Sequence, residues 1–476
     1  MNVLKPAANP LGWGKSFLWL ALAVACFHAA YISVKFPAAG LLIFGYALGL
    51  IRLADQPTVR RAFYFGLTTG FLCGAPQLSC FWGMFGPAAI PLWIVFAFWI
   101  GLFVAIVCGS IRRWGKARTA WLIPIIWTGV EYFRSELYYF KFSWLNVGYA
   151  LPVQYSGFFG MYGDSFLVLG IITTCLFYLK YAFTKKLTFR QLMLAAFVIL
   201  ITSFLTLLSL TRFIPFSKQI TTSPNLVGIQ MEFPTPSILP KALDKALIKN
   251  PDAPIFVLSE YTLDSPVPEL LKNWCREHAR YLVVGGKDFV TNDVFYDTAF
   301  VVGTNGDIIF KQAKSVPVQC FNDGLPAQRQ EVWNSPWGKI GICICYDLSY
   351  TRVTDELVRQ GAQLLIVPTM DVEDWGRHQH ELHSRVAPVR AAEYGIPIFR
   401  VASSGISQAV SGGGNVVAQI PFGKNGEIFS AQLRLPSRGS LPLDRYLAPI
   451  CTGVTGIVTA ILLFLTWKNK RAKPKT

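Results

Sequence analysis

Seven apolar runs stand ahead of one long polar stretch, and an eighth run follows it. They fall at residues 16–34, 38–54, 62–83, 91–111, 119–133, 157–183, 191–210 and 448–467. Most are long enough to cross the hydrocarbon of a bilayer as helices. The run at 119–133 is the shortest and carries Glu131 at its lower end. With 53% hydrophobic residues and only 15% charged, the chain falls well short of the charge usual in a water-soluble globule.

Charge placement supports that reading. The formal net charge is +17, yet residues 211–447 balance 23 basic against 23 acidic side chains, so the whole excess lies in the apolar remainder. Eighteen Lys and Arg occupy alternate loops and the tail, including Lys15, Arg52, Arg60, Arg61, Arg112, Arg113, Lys185, Lys186 and Arg471. Only Lys35, Arg134 and Lys141 occupy the intervening loops. Such asymmetry is a topology signal and not a nucleic-acid footprint. It predicts both termini in the cytoplasm and 211–447 outside. The first run lacks a small-residue cleavage site, so it reads as an anchor. The ten cysteines are scattered, five within the first seven apolar runs, and suggest neither a disulfide framework nor a zinc site.

The polar stretch alternates short apolar strands, at 226–231, 255–258, 281–284, 340–345, 364–367 and 398–401, with helical patterns at 241–248, 268–279, 349–360 and 379–394. This is an α/β layering, and its length suits one core. The expected organisation is therefore a seven-helix membrane domain at 1–210, an extracytoplasmic α/β domain at 211–447, and a final helix with a basic tail at 448–476.

Three elements of the α/β domain end in a reactive side chain. Glu260 follows Ile255-Phe-Val-Leu-Ser259, Lys314 follows the hairpin arm Gly306-Asp-Ile-Ile-Phe-Lys-Gln-Ala313, and Cys345 follows Lys339-Ile-Gly-Ile-Cys-Ile-Cys345. An acid, an ammonium and a thiol at one sheet edge suit acyl transfer: the carboxylate takes the thiol proton, the thiolate attacks a carbonyl, and the ammonium steadies the oxyanion. A helix N-terminus after Cys345 is expected to ease loss of its proton. The plain alternatives are a capping Glu260, a solvated Lys314 beside Lys311, and a Cys345 buried like Cys343 as a small hydrophobe.

These three positions, in this order, resemble the Glu-Lys-Cys triad of the nitrilase superfamily. Gly361-Ala-Gln-Leu-Leu-Ile-Val-Pro-Thr-Met-Asp371, Arg390-Ala-Ala-Glu393 and Arg400-Val-Ala-Ser-Ser-Gly-Ile-Ser407 are similar to that superfamily's later landmarks. The domain's place between seven spans and one is similar to the bacterial apolipoprotein N-acyltransferase family. So is Trp127-Thr-Gly-Val-Glu131-Tyr-Phe-Arg134 with Phe142-Ser-Trp144-Leu-Asn-Val-Gly148-Tyr149. The resemblance implies about eight membrane helices and an αββα sandwich inserted before the last of them, in the bacterial inner membrane with the catalytic domain on the periplasmic side. It implies transfer of an acyl chain from a phospholipid, through a thioester on Cys345, to the amine of a diacylglyceryl-modified apolipoprotein. It implies Glu260 as base, Lys314 as oxyanion stabiliser, and Tyr346 and Asp347 in support. Trp144, Tyr149, Asp323 and His383 become candidate substrate contacts, and no cofactor or metal is implied. The alternative reading is a membrane-tethered amidase, with water as acceptor.

Some positions depart from the family pattern. Asp347 stands where a glutamate is usual, Ser403 stands for an asparagine, and the loop after Lys314 offers Asp323 as its nearest carboxylate in place of a glutamate. His378, His380 and His383 lack a metalloprotease spacing. Glu131 and Arg134 are expected to pair structurally, and Lys287 to be a plain loop lysine.

Overall fold

The computed structural model describes residues 10–32, 36–152, 156–184 and 223–471. The chain divides into two compact units, Met1–Thr211 with Leu443–Thr476, and Arg212–Pro442.

In the first unit each apolar run within the described residues is largely helical. The helices are Trp13–Ala30, Ile43–Leu53, Val59–Gln77, Ala89–Trp114, Lys116–Tyr132, Met161–Thr184 and Asp444–Arg471. The run at 191–210 lies outside the described residues. Among the described residues three stretches, Trp13–Ala30, Cys80–Trp114 and Asp444–Lys468, are long and apolar enough to cross a membrane. Helices Val59–Gln77 and Ala89–Trp114 approach closely through small residues. A Cβ on Gly66 would lie 2.9 Å from the Gly101 Cα, so a larger side chain there would force the pair apart.

Polar side chains inside this unit hold a loop. Glu131 accepts the Val147 N–H at 2.8 Å, and Arg134 donates to Asn146 Oδ1. Ser135 donates to the same oxygen at 3.1 Å, and Tyr31 donates to the Asn146 carbonyl at 2.5 Å. Glu131 and Arg134 thus both fix the 146–147 turn, the acid through the Val147 amide, which needs a partner away from water, and the base through the Asn146 side chain.

The second unit is a sandwich of two six-stranded sheets. Its strands are β1 Asn225–Ile229, β2 Ile255–Val257, β3 Tyr281–Phe289, β4 Phe295–Val302, β5 Ile308–Ala313, β6 Val332–Ser335, β7 Gly338–Ile342, β8 Leu364–Thr369, β9 Ile398–Ala402, β10 Ser407–Val410, β11 Val416–Ile420 and β12 Ile428–Gln432. One sheet runs β12-β1-β2-β3-β4-β5 and the other β11-β10-β9-β8-β7-β6. β1–β2–β3 and β7–β8–β9 pair in parallel. The sheets meet face to face, with Phe399 of β9 stacked on Phe429 of β12 at 4.8 Å and Ser407 donating to Gln230 Oε1 at 2.7 Å. Helices Leu239–Lys249 and Glu269–His278 cover the first sheet, where Leu243, Leu271 and Trp274 pack over Phe256. Thr351–Arg359 and Val386–Tyr394 pack on the second.

Three local expectations need correction. The helix read at 379–394 is two helices, Gly376–Ser384 and Val386–Tyr394. Pro388 has no N–H to give the Ser384 carbonyl, so the first helix ends there. Lys287 lies on β3, not in a loop, and pairs with Asp264 at 3.0 Å. The strand leading to Cys345 stops at Ile342, and a 3-10 turn, Cys345–Ser349, precedes the helix Thr351–Arg359.

Candidate active site

Glu260 and Cys345 lie just past the carboxyl ends of the parallel strands β2 and β7, where α/β sheets commonly build their sites. Lys314 is the residue after β5. Gly285 of β3 lies directly beneath Glu260: a Cβ there would sit 2.5 Å from the Glu260 Cα, so only glycine lets the strand pass.

The three side chains converge. Lys314, 1% exposed, places Nζ 2.6 Å from Glu260 Oε1, 2.7 Å from Asp323 Oδ2 and 3.4 Å from Asp297 Oδ2. Burial works against its charge, but the surrounding carboxylates, Glu260 first, outweigh that and hold its pKa well above the ordinary lysine value. Glu260 also accepts the Met370 N–H through Oε2, while the Cys345 thiol donates to the Met370 carbonyl at 3.6 Å. Acid and thiol therefore hold the same residue through its two flanking peptides, and the thiol also interacts with the Glu260 carboxylate.

Cys345 departs from the sequence expectation. Burial, reinforced by the Glu260 charge, pushes its pKa well above the ordinary thiol value. The residue heads a short 3-10 turn and not an α-helix, so little dipole is available to offset desolvation. Its backbone φ of +50° is a strained conformation for a residue with a Cβ, of the kind that clusters at reactive turns. The resting group is a neutral thiol beside a base.

Asp347 ties this turn to the lysine. It accepts the Val316 N–H at 2.7 Å, the Ser315 N–H at 3.0 Å and the Ile344 N–H at 3.2 Å, so one carboxyl bridges the residues after Lys314 and those before Cys345. Burial brings its pKa up to about 6 despite those donors. Tyr346 is buried edge-on to Tyr350 at 4.9 Å.

The four remaining candidates differ in their surroundings. Asp323 is a counter-ion of Lys314, also accepting the Tyr261 hydroxyl at 2.9 Å and the Val318 N–H at 2.6 Å. His383 lies 2.8 Å from Asp371, which Arg400 also binds, so it anchors the residue after Met370. Trp144 and Tyr149 are buried in the helical unit. Oxygens of Glu260, Asp297 and Asp323 lie within 4.8 Å of one another, a spacing suited to a cation, and the Lys314 ammonium contacts all three. Sequence reasoning missed Asp297. Its only signal was an acid inside the apolar run Phe295-Tyr-Asp-Thr-Ala-Phe-Val-Val302, where a buried charge needs a reason.

The second unit is a carbon-nitrogen hydrolase-like α/β domain of two sheets. A family model described as Carbon-nitrogen hydrolase matches residues 241–442. A second, described as Apolipoprotein N-acyltransferase N-terminal domain, matches residues 16–174. Over both of these parts the chain is similar to the apolipoprotein N-acyltransferase family. It is 23% identical to the apolipoprotein N-acyltransferase of Geobacter metallireducens, covering 92% of this chain and 94% of that protein. The corresponding protein of Shewanella oneidensis is 22% identical over 79% of this chain and 82% of its own length. Similarity to a deaminated glutathione amidase of Dictyostelium discoideum, 25% identical, reaches only 28% of this chain and 52% of that protein. Among solved structures, an amidase from Nesterenkonia sp. aligns with a TM-score of 0.39 at 16% identity, over 47% of this chain and 94% of that one.

Proposed function

We propose that this acyltransferase moves a fatty acyl chain from a membrane phospholipid to the N-terminal amine of a diacylglyceryl-modified lipoprotein cysteine, through a thioester on Cys345. Glu260 takes the thiol proton as sulfur attacks the ester carbonyl, and Lys314 supplies positive charge against the developing oxyanion. The intermediate collapses to the Cys345 thioester, and the lysophospholipid alkoxide leaves with the proton held by Glu260. In the second half the acceptor amine attacks the thioester carbonyl and loses its proton to Glu260. The thiolate departs, regains that proton, and the thiol is restored.

The observation that carries this reading is one chain joining the two parts: a helical portion matched by the N-acyltransferase model and a sandwich whose acid, ammonium and thiol converge. The basic asymmetry of the loops supports an eight-span arrangement in the bacterial inner membrane, with both termini cytoplasmic and the catalytic unit periplasmic.

Mass spectrometry of the purified enzyme after exposure to phospholipid tests the first half-reaction, with an acyl adduct expected on Cys345. Adding a diacylglyceryl lipopeptide should discharge the adduct and yield the triacylated peptide. Release of free fatty acid with the peptide unmodified would instead favour the amidase-type alternative, and absence of any adduct would refute the reading.

A further inference from the structure

The pocket around Lys314 holds three carboxyl groups against one ammonium. Two of the three are well provided for: Glu260 has the Met370 N–H, and Asp323 has the Tyr261 hydroxyl and the Val318 N–H, each in addition to Lys314. Asp297 is different. Its side chain is fully buried, and neither carboxyl oxygen has a hydrogen-bond partner among the described residues. Lys314 stands 3.4 Å away, closer to both of the other acids.

No other charge near it among the described residues relieves it. Lys287 sits directly across the β3–β4 ladder but turns to Asp264 at 3.0 Å. Tyr261, the remaining titratable group facing Asp297, gives its hydroxyl to Asp323. The oxygens of Asp297 and Glu260 lie within 4.8 Å of each other in a space closed to water. Two carboxylates so placed repel unless one carries a proton, and three ionised acids around one ammonium would leave an uncompensated buried charge.

We propose that Asp297 is a neutral carboxylic acid in the resting enzyme and donates its O–H to Glu260, acting as a positioning residue for the base. A proton lodged on Asp297 is one that does not occupy Glu260, which stays able to receive the thiol proton. Its O–H also helps to fix the Glu260 carboxylate, which the Met370 N–H already holds through Oε2. Burial pushes the Asp297 carboxyl well above its ordinary value, and the adjoining Glu260 charge pushes the same way.

The proposal rests on the reading above only in taking Glu260 as the base, and the proton can be read without substrate. Infrared spectra of the full-length resting enzyme, at about pH 8 so that Asp347 is ionised, should show a protonated-carboxyl stretch. That band should shift when aspartate side-chain carboxyls carry carbon-13, and should vanish in D297N. D297A, which cannot donate, should lose at least about tenfold in kcat/KM, and D297N, whose amide N–H still donates, should recover most of that loss. The acid limb of the D297N pH profile should lie within about half a pH unit of the wild type. Absence of an aspartate-sensitive band in the wild type, or its survival in D297N, would overturn the proposal. So would an acid limb lowered by about a unit or more, the result of removing a full negative charge. If no form acylated a lipopeptide while the band remained, the proton assignment would stand and the acyl-transfer reading would fall.

Discussion

Each unit of this protein buries ionisable side chains, and one cluster in each is built in the opposite way to the other. In the helical unit, Glu131 and Arg134 are one acid and one base, and their hydrogen bonds go to the Asn146–Val147 turn. In the sandwich, Glu260, Asp297 and Asp323 crowd a single Lys314, with the Cys345 thiol alongside. A balanced cluster tied to backbone holds architecture together. An unbalanced one leaves a proton in play, which is what acid–base chemistry requires.

The largest effects should fall on the unbalanced cluster. Cys345→Ala should abolish lipopeptide acylation, by about 10⁴-fold or more, while the thermal unfolding midpoint stays close to that of the wild type. If the variant kept appreciable transfer, the nucleophile would have to be sought elsewhere. Lys314→Met should cost on the order of 10³-fold in kcat/KM. It should also destabilise the sandwich by about 3–5 kcal/mol, because three acids lose their common counter-ion. Denaturant titration beside the activity assay separates the two losses.

Arg134→Met should lower stability by about 3 kcal/mol yet leave the alkylation rate of Cys345 and its pH dependence as they were. A change in thiol reactivity would break the distinction between the clusters.

Asp347 offers a subtler test. Its folded value of about 6 lies above the ordinary carboxyl value, so the folded state binds the proton more tightly. Its contribution to stability is then fully present at acid pH and is lost as pH rises from about 4 to 6, amounting to about 3 kcal/mol at most. Asp347→Asn should flatten that part of the stability–pH curve. The smallest effect concerns the thiol itself. Because its pKa is raised, alkylation of Cys345 should climb by about tenfold per pH unit through neutrality, with no plateau below the ordinary thiol range.

Much of this was legible along the chain. Glu260 and Cys345 each follow an apolar strand and Lys314 follows a hairpin arm, and such elements announce themselves by composition. The apolar runs and the alternation of Lys and Arg between loops are likewise local patterns. The turn at Cys345 was legible only in part: its place was readable, but its acidity was not, because that depends on how deeply neighbours bury it. Asp297 was invisible for a related reason. It lies on a strand that pairs with β3 and β5, and nothing near it in sequence tells that Glu260 and Lys314 will close around it.

The sequence by itself determined which segments are apolar, where strands give way to turns, and which reactive groups stand at those turns, since these follow from the order of side chains over a few residues. Only the tertiary structure decided that three acids share one ammonium, that Asp347 bridges two strand ends, and that the thiol rests protonated. Charge balance and desolvation are set by distances between groups far apart in the chain, and those exist only once the sheets have packed.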